Sequence, residues 1–108
     1  MVRFAEDLYT SDSVMSRLST IKWKMACGIG MINTFFITMS LSSEDLFDIY
    51  SASMFKQRSF RKSDLIIIGI ASDMDEAKNL IVQMIDECID ATGSALNARK
   101  YFENKYIN

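Results

Sequence analysis

The residues best suited to bind a partner lie in one short basic segment near the middle of the chain. Four cations and two aromatic rings occur within residues 55–62, with no acidic residue until Asp64: Phe55, Lys56, Arg58, Phe60, Arg61 and Lys62. Lys and Arg contact phosphates and aromatic rings stack on unpaired bases, so this composition is typical of single-strand nucleic-acid binding. The same cations could dock an acidic protein surface, or the segment could be a solvated connection whose two rings tuck under a sheet.

The charge of the whole chain weakens the nucleic-acid interpretation. The sequence has 12 Lys and Arg against 14 Asp and Glu, and its isoelectric point is near 5.0. Domains that bind nucleic acid are usually basic. We therefore do not expect a nucleic-acid partner, and we keep a nucleic-acid-binding accessory domain as the alternative to protein docking.

The sequence offers few residues of the types that catalyse reactions. The chain has no His, which excludes the Ser-His-Asp triad, the Cys-His pair and every zinc site that needs an imidazole. Gly28 and Gly30 lead from a predicted helix into a predicted strand, the reverse of the order in a dinucleotide fingerprint. Asp73, Asp75 and Glu76 fall in the first turn of a predicted helix, where carboxylates complement the helix dipole. We expect no enzyme activity, no cofactor and no metal site.

Neither the cysteines nor the hydropathy indicates secretion or a membrane span. Cys27 and Cys88 form no CxxC pair, and a chain of this size can build a core without disulfides. Glu6 and Asp7 stand where a signal peptide would need apolar residues. Residues 25–43 are uncharged, but small polar residues alternate with apolar ones there, which is typical of a strand. We expect a cytoplasmic protein without a membrane segment.

Two stretches have the apolar spacing of amphipathic helices. The first covers about residues 13–27, where apolar residues recur at steps of three and four: Val14, Leu18, Ile21 and Met25. The second begins at a cap provided by Ser72 or Asp73 and ends at Gly93. One further short helix is predicted within the tail, residues 94–108.

Three stretches have the composition of strands. Residues 31–41 alternate with a period of two, and residues 65–71 form a β-branched apolar run. Residues 45–51 are predicted as a short strand. Residues 42–54 stay open between strand and helix, because Ser42 and Asp45 resemble a capping box. Residues 52–62 are expected to form a loop or a short helix.

These elements predict one α+β domain over residues 1–108, with the structure of 1–10 and 94–108 left open. The predicted order is helix, strand, strand, strand, helix. The short connection between the first two strands favours an antiparallel hairpin, so we expect a two-layer fold with a mainly antiparallel three-stranded sheet and two amphipathic helices. Ile67 and Ile81 are expected to be nearly fully buried.

The same pattern predicts self-association. If both helices lie on one face of the sheet, the other face exposes an apolar patch that needs cover, formed by Ile32, Phe36, Ile66, Ile68 and Ile70. A second copy across a two-fold axis would supply that cover. The competing arrangement places a helix on each face, or folds the tail across the bare one, and leaves a monomer. We expect a protein that acts by association, as a homodimer or with another protein, and keep small-ligand binding as a further alternative.

Overall fold

The core of the fold is one open, four-stranded mixed sheet. The structure is a computed structural model and describes residues 3–27, 31, 33–40, 46–53 and 65–106. Its strands are β1 (Arg3–Thr10), β2 (Phe35–Met39), β3 (Phe47–Ser51) and β4 (Ile66–Ala71), in the spatial order β1-β4-β2-β3. β1 runs parallel to β4, whereas β2 is antiparallel to both β4 and β3. The α+β class and the β2–β3 antiparallel pair are confirmed.

Strand β1 is the main difference from the predicted three-stranded sheet. It lies at the edge of the sheet, where Glu6 and Asp7 are exposed. Its pairing is irregular, since Phe4 lies beside Ile67 and Tyr9 beside Gly69. An edge strand with irregular pairing need not alternate apolar and polar residues. For that reason the sequence of the N-terminal segment does not predict a strand.

The helices are α1 (Asp12–Met15), α2 (Leu18–Ala26), α3 (Met74–Thr92) and α4 (Ala98–Tyr106), with a short 3₁₀ helix over Ala95–Asn97. α3 begins at Asp73 and ends at Gly93 in the left-handed conformation, as the sequence predicts. The predicted helix 13–27 is instead two helices, because Arg17 leaves helical geometry between them. The helix predicted in the tail is confirmed. Across the described ranges, no helix has both the length and the apolar composition needed to cross a bilayer.

Helices cover both faces of the sheet, so the fold has three layers rather than two. One face packs against α3 and α4, in a cluster that includes Ile37, Ile68 and Met84 together with Phe102. The other face packs with α1 and α2, in a cluster that includes Val14, Ile21, Phe36, Ile67 and Ile70. Ile67 is fully buried as predicted. Ile81, which was expected to be nearly fully buried, is only half-buried, because it lies at the edge of the α3 face that packs on the sheet.

A bulge in β4 overturns the predicted sheet face. Ile37 of β2 lies beside Gly69, but the next residue, Thr38, lies beside Ile67. Ile68 is the extra residue, and it reverses the alternation of side chains along the strand.

The five residues of the predicted self-association patch are therefore divided. Ile66 and Ile68 lie on the α3–α4 side, while Phe36 and Ile70 lie on the α1–α2 side. Phe36, Ile68 and Ile70 are fully buried, and Ile32 lies outside the described residues. This set of residues does not form a docking face.

Candidate functional site

The basic segment 55–62 is the site that the sequence favours, and it lies outside the described residues. Its interpretation as a docking or nucleic-acid surface, through Phe55, Lys56, Arg58, Phe60, Arg61 and Lys62, stays a prediction. The structure instead brings together three groups of residues that the sequence analysis does not assign to a site. They are a crevice at one end of the sheet, a tyrosine cluster beside α4, and one side of α3.

The crevice lies where β1 and β4 end side by side. These two strands are parallel neighbours, and after Thr10 the chain enters α1 and α2 on one face. After Ala71 it enters α3 on the other face. In open sheets, ligands bind at such a switch point, outside the carboxyl ends of the strands.

A carboxylate of the protein fills the centre of this crevice. The Ser13 hydroxyl donates to Glu76 Oε2 at 3.0 Å, and the Ser72 backbone N–H donates to the same oxygen at 3.0 Å. The Ser13 and Ser72 hydroxyls are 2.6 Å apart. The Ser72 backbone bond and then the Ser13 hydroxyl hold the pKa of Glu76 below its usual range. Asp73 accepts from the Glu76 backbone N–H at 2.8 Å, so protein carboxylates already satisfy the first turn of α3.

The α2 side of the crevice opens into a cavity of about 700 Å³. Arg17, which immediately precedes α2, and Thr20 and Lys24 of α2 line one wall. They face Asn33, Ser72 and Asp73. Asn33 has a left-handed backbone with φ of 52°, a conformation that Asn adopts more readily than most residues. Its carbonyl accepts a hydrogen bond from Arg17 Nη2 at 2.8 Å.

A cluster of Tyr9, Tyr101 and Tyr106 with Glu87 and Lys105, the tyrosine cluster, joins α4 to α3 and β1. Glu87 of α3 accepts hydrogen bonds from Tyr9, Tyr101 and Lys105, the last two at 3.1 and 3.4 Å. Lys105 also donates to the Tyr9 hydroxyl at 2.7 Å, and the Tyr106 hydroxyl donates to the Asp7 carbonyl at 3.0 Å.

The electrostatics of the tyrosine cluster keep its phenols protonated. Burial and then the Glu87 carboxylate raise the pKa of Tyr9 and that of Tyr101. Burial opposes ionisation of Glu87, but hydrogen bonds from the two tyrosines outweigh it and hold the pKa of Glu87 below its usual range. A tyrosine that acts as a general base needs a lowered pKa. The cluster instead keeps both phenols protonated as donors to one carboxylate.

One side of α3 carries apolar residues that no other described element covers completely. We call it the α3 flank and define it by Met74, Ile81, Val82, Ile85 and Ile89. Val82 is 58% exposed, Met74 40% and Ile89 39%, whereas Ile81 and Ile85 are half-buried. Lys78 is the cation within it.

Comparisons with protein-family models, with curated proteins and with solved structures find no match for this chain. Among the described residues, no three His, Cys, Asp or Glu side chains lie close enough together to hold a metal ion. The functional interpretation therefore depends on the geometry of the crevice and of the α3 flank.

Proposed function

We propose that this protein acts by self-association, through the α3 flank, as a two-fold homodimer. The observation that carries the proposal is the width of the apolar surface of α3. Ala77, Leu80, Met84 and Cys88 are buried toward the sheet. Together with the α3 flank they cover roughly 200° of the helix circumference, about twice the stripe that a helix needs to pack on one layer.

The exposed part of this surface runs along the helix, with Lys78 between Met74 and the other four residues. Ile81, Val82, Ile85 and Ile89 follow one another at steps of one, three and four, and Met74 lies seven residues before Ile81. The five side chains therefore share one side of α3 over about four turns. A contiguous apolar row on a surface helix is typical of a protein interface.

The charges of α3 favour a second copy as the occupant. Lys78 is the only cation of this helix, near its N-terminal end, and Asp86 and Asp90 stand in its C-terminal half. In an antiparallel pair of α3 helices centred on Val82, Lys78 of each copy is level with Asp86 of the other. The two-fold axis repeats that contact, and the opposed helix dipoles add to the attraction.

Sedimentation equilibrium at tens of micromolar tests the proposal. The wild-type chain should sediment at twice its 12.3 kDa mass. Val82→Glu places an unpaired charge in the centre of the apolar interface and should produce a monomer. Gln83→Glu introduces the same charge at the adjacent exposed position, outside the α3 flank, and should leave the dimer unchanged.

A charge swap tests the orientation of the pair. Lys78→Glu and Asp86→Lys should each weaken the dimer, because each places like charges opposite one another. The double variant restores opposite charges and should recover the dimer. A clean 12.3 kDa species for the wild type, or a dimer that Val82→Glu leaves intact, would overturn the proposal.

A further inference from the structure

We infer that the cavity on the α2 side of the crevice is a binding site for a small anionic molecule with a phosphate or carboxylate group. The cavity measures about 700 Å³, within the range of small-molecule sites. It lies at the point where parallel β1 and β4 send their connections to opposite faces of the sheet, the usual location of ligands in open sheets. The inference is independent of the α3 flank, which lies on the other side of the sheet.

Arg17 supplies the first positive charge. Its guanidinium donates to the Asn33 carbonyl at 2.8 Å, to the Ser72 hydroxyl at 3.2 Å and to the Thr34 hydroxyl at 3.3 Å. All three acceptors are neutral. They fix the position of the guanidinium at the cavity wall, and it forms no ion pair with any described residue, which is the arrangement that attracts an oxyanion.

Lys24 supplies the second charge. Thr20 and Lys24 are four residues apart in α2, so they share one side of the helix. They line the same cavity wall as Arg17, which immediately precedes α2. Within the described part of the chain, Lys24 has no ion-pair partner. Thr20 contributes a hydroxyl donor between the two cations.

Among the described residues that line the cavity, Asp73 carries the one opposing carboxylate. One oxygen of that group already accepts the Glu76 backbone N–H, because Asp73 caps α3. Among these lining residues, two cations thus face a single carboxylate, and that carboxylate already accepts a hydrogen bond from α3. The wall formed by Arg17 and α2 therefore carries a net positive charge. The bound anion is expected against α2 rather than at the first turn of α3, where Glu76 already occupies the Ser72 N–H.

Binding can be tested with two simple probes, inorganic phosphate and succinate. Calorimetric titration and thermal melting, both at matched ionic strength in sodium chloride, should show saturable binding and a higher melting temperature, since a ligand that binds only the folded state stabilises it. Lys24→Glu should weaken binding by about tenfold or more, because it replaces an attractive charge with a repulsive one. This position avoids the hydrogen bonds that Arg17 makes across the fold.

Lys22→Glu is the matched control. It makes the same charge change on the same helix, but Lys22 is exposed and lies outside the cavity, so binding should stay within about twofold. Saturation by phosphate alone assigns a phosphoryl ligand, and saturation by succinate alone assigns a carboxylate. The absence of binding by either probe, or an equal loss in the Lys22 and Lys24 variants, would overturn the inference. Because the readout is binding to the folded chain, its outcome does not depend on whether the protein forms a dimer.

Discussion

Phe102 joins the C-terminal helix α4 to the core, and its replacement by Ala should be strongly destabilising. Its ring is fully buried. The ring centroid is 5.2 Å from that of Phe47 in β3, 5.0 Å from that of Tyr101 and 6.5 Å from that of Tyr9 in β1. Tyr106 stacks on it with centroids 6.5 Å apart. These rings are attached to three different elements, so they cannot move together to close the cavity that Phe102→Ala would leave.

The expected cost follows from that geometry. Replacing a buried Phe with Ala costs about 3–5 kcal/mol, and the cost rises when the surroundings cannot collapse into the cavity. Each aromatic pair contributes about 0.5–1.5 kcal/mol beyond the buried area. We expect a loss of about 4–5 kcal/mol of unfolding free energy. With a urea dependence of roughly 2 kcal/mol per molar, the unfolding midpoint should fall by roughly 2–2.5 M.

Urea titration followed by far-UV circular dichroism is the appropriate assay, because Trp23 is 60% exposed and its fluorescence reports weakly on the core. Phe102→Leu fills part of the cavity and should give an intermediate midpoint, which keeps the result measurable if the Ala variant does not fold. Leu96→Ala is the control, since Leu96 belongs to the same tail and is 95% exposed. If Phe102→Ala and Leu96→Ala shift the midpoint equally, α4 does not pack on the sheet as described.

Three further changes test other parts of the fold and of the sequence analysis. Gly69→Ala should destabilise by about 1–3 kcal/mol, because an added Cβ would lie 3.1 Å from Ile37 Cδ1 and 3.3 Å from its Cβ; an unchanged melting temperature would contradict the close β2–β4 packing at the bulge. Glu87→Gln should destabilise at neutral pH and lose its effect in acid: the folded-state pKa of Glu87 is lowered, so its contribution is present above the unfolded value near 4.3 and disappears as the pH falls through the folded value. A difference in unfolding free energy that stays constant from neutral pH into acid would contradict this. For the basic segment, wild-type protein should show no salt-sensitive binding to a mixed oligonucleotide pool at physiological salt; sub-micromolar binding that Arg58→Glu with Arg61→Glu abolishes would contradict that expectation and establish a nucleic-acid function.

Local signals explain why β4 and α3 could be predicted closely. The apolar run 65–71 is bounded by charge on one side and by the Asp73 cap on the other, and the structure has the strand at Ile66–Ala71 and the helix at Met74–Thr92. The Asp73 hydrogen bond to the Glu76 backbone and the left-handed Gly93 are also local features. Signals of this kind depend on neighbouring residues alone.

The two main errors have non-local causes. β1 forms by parallel pairing with β4, and the paired residues are sixty or more positions apart in the chain. An edge strand also carries little apolar periodicity. The division of the β4 isoleucines between two faces depends on the bulge near Gly69, where the strand packs closely against Ile37. A glycine inside a strand is a known sign of a bulge, so the sequence held a cue to this feature.

The candidate crevice could not be predicted for a related reason. The acceptors of Arg17 are separated from it by 16, 17 and 55 residues, and the cavity exists only once β1 stands beside β4. In the sequence, Arg17 and Lys24 are polar residues beside the apolar stripe of a predicted helix. They form one wall of a cavity only when the fold places Asn33 and Ser72 opposite them.

The position of α4 explains why α3 keeps an exposed apolar side. α4 contacts α3 through Glu87, which receives hydrogen bonds from Tyr101 and Lys105. At 100° per residue, Glu87 lies roughly 140° around α3 from Val82, so α4 packs against the opposite side of the helix from the α3 flank. No described element packs against the α3 flank in the way that α4 packs against the side of α3 that carries Glu87. The dimer proposed above would cover that side with an antiparallel α3 from a second copy, which has an apolar face and complementary charge.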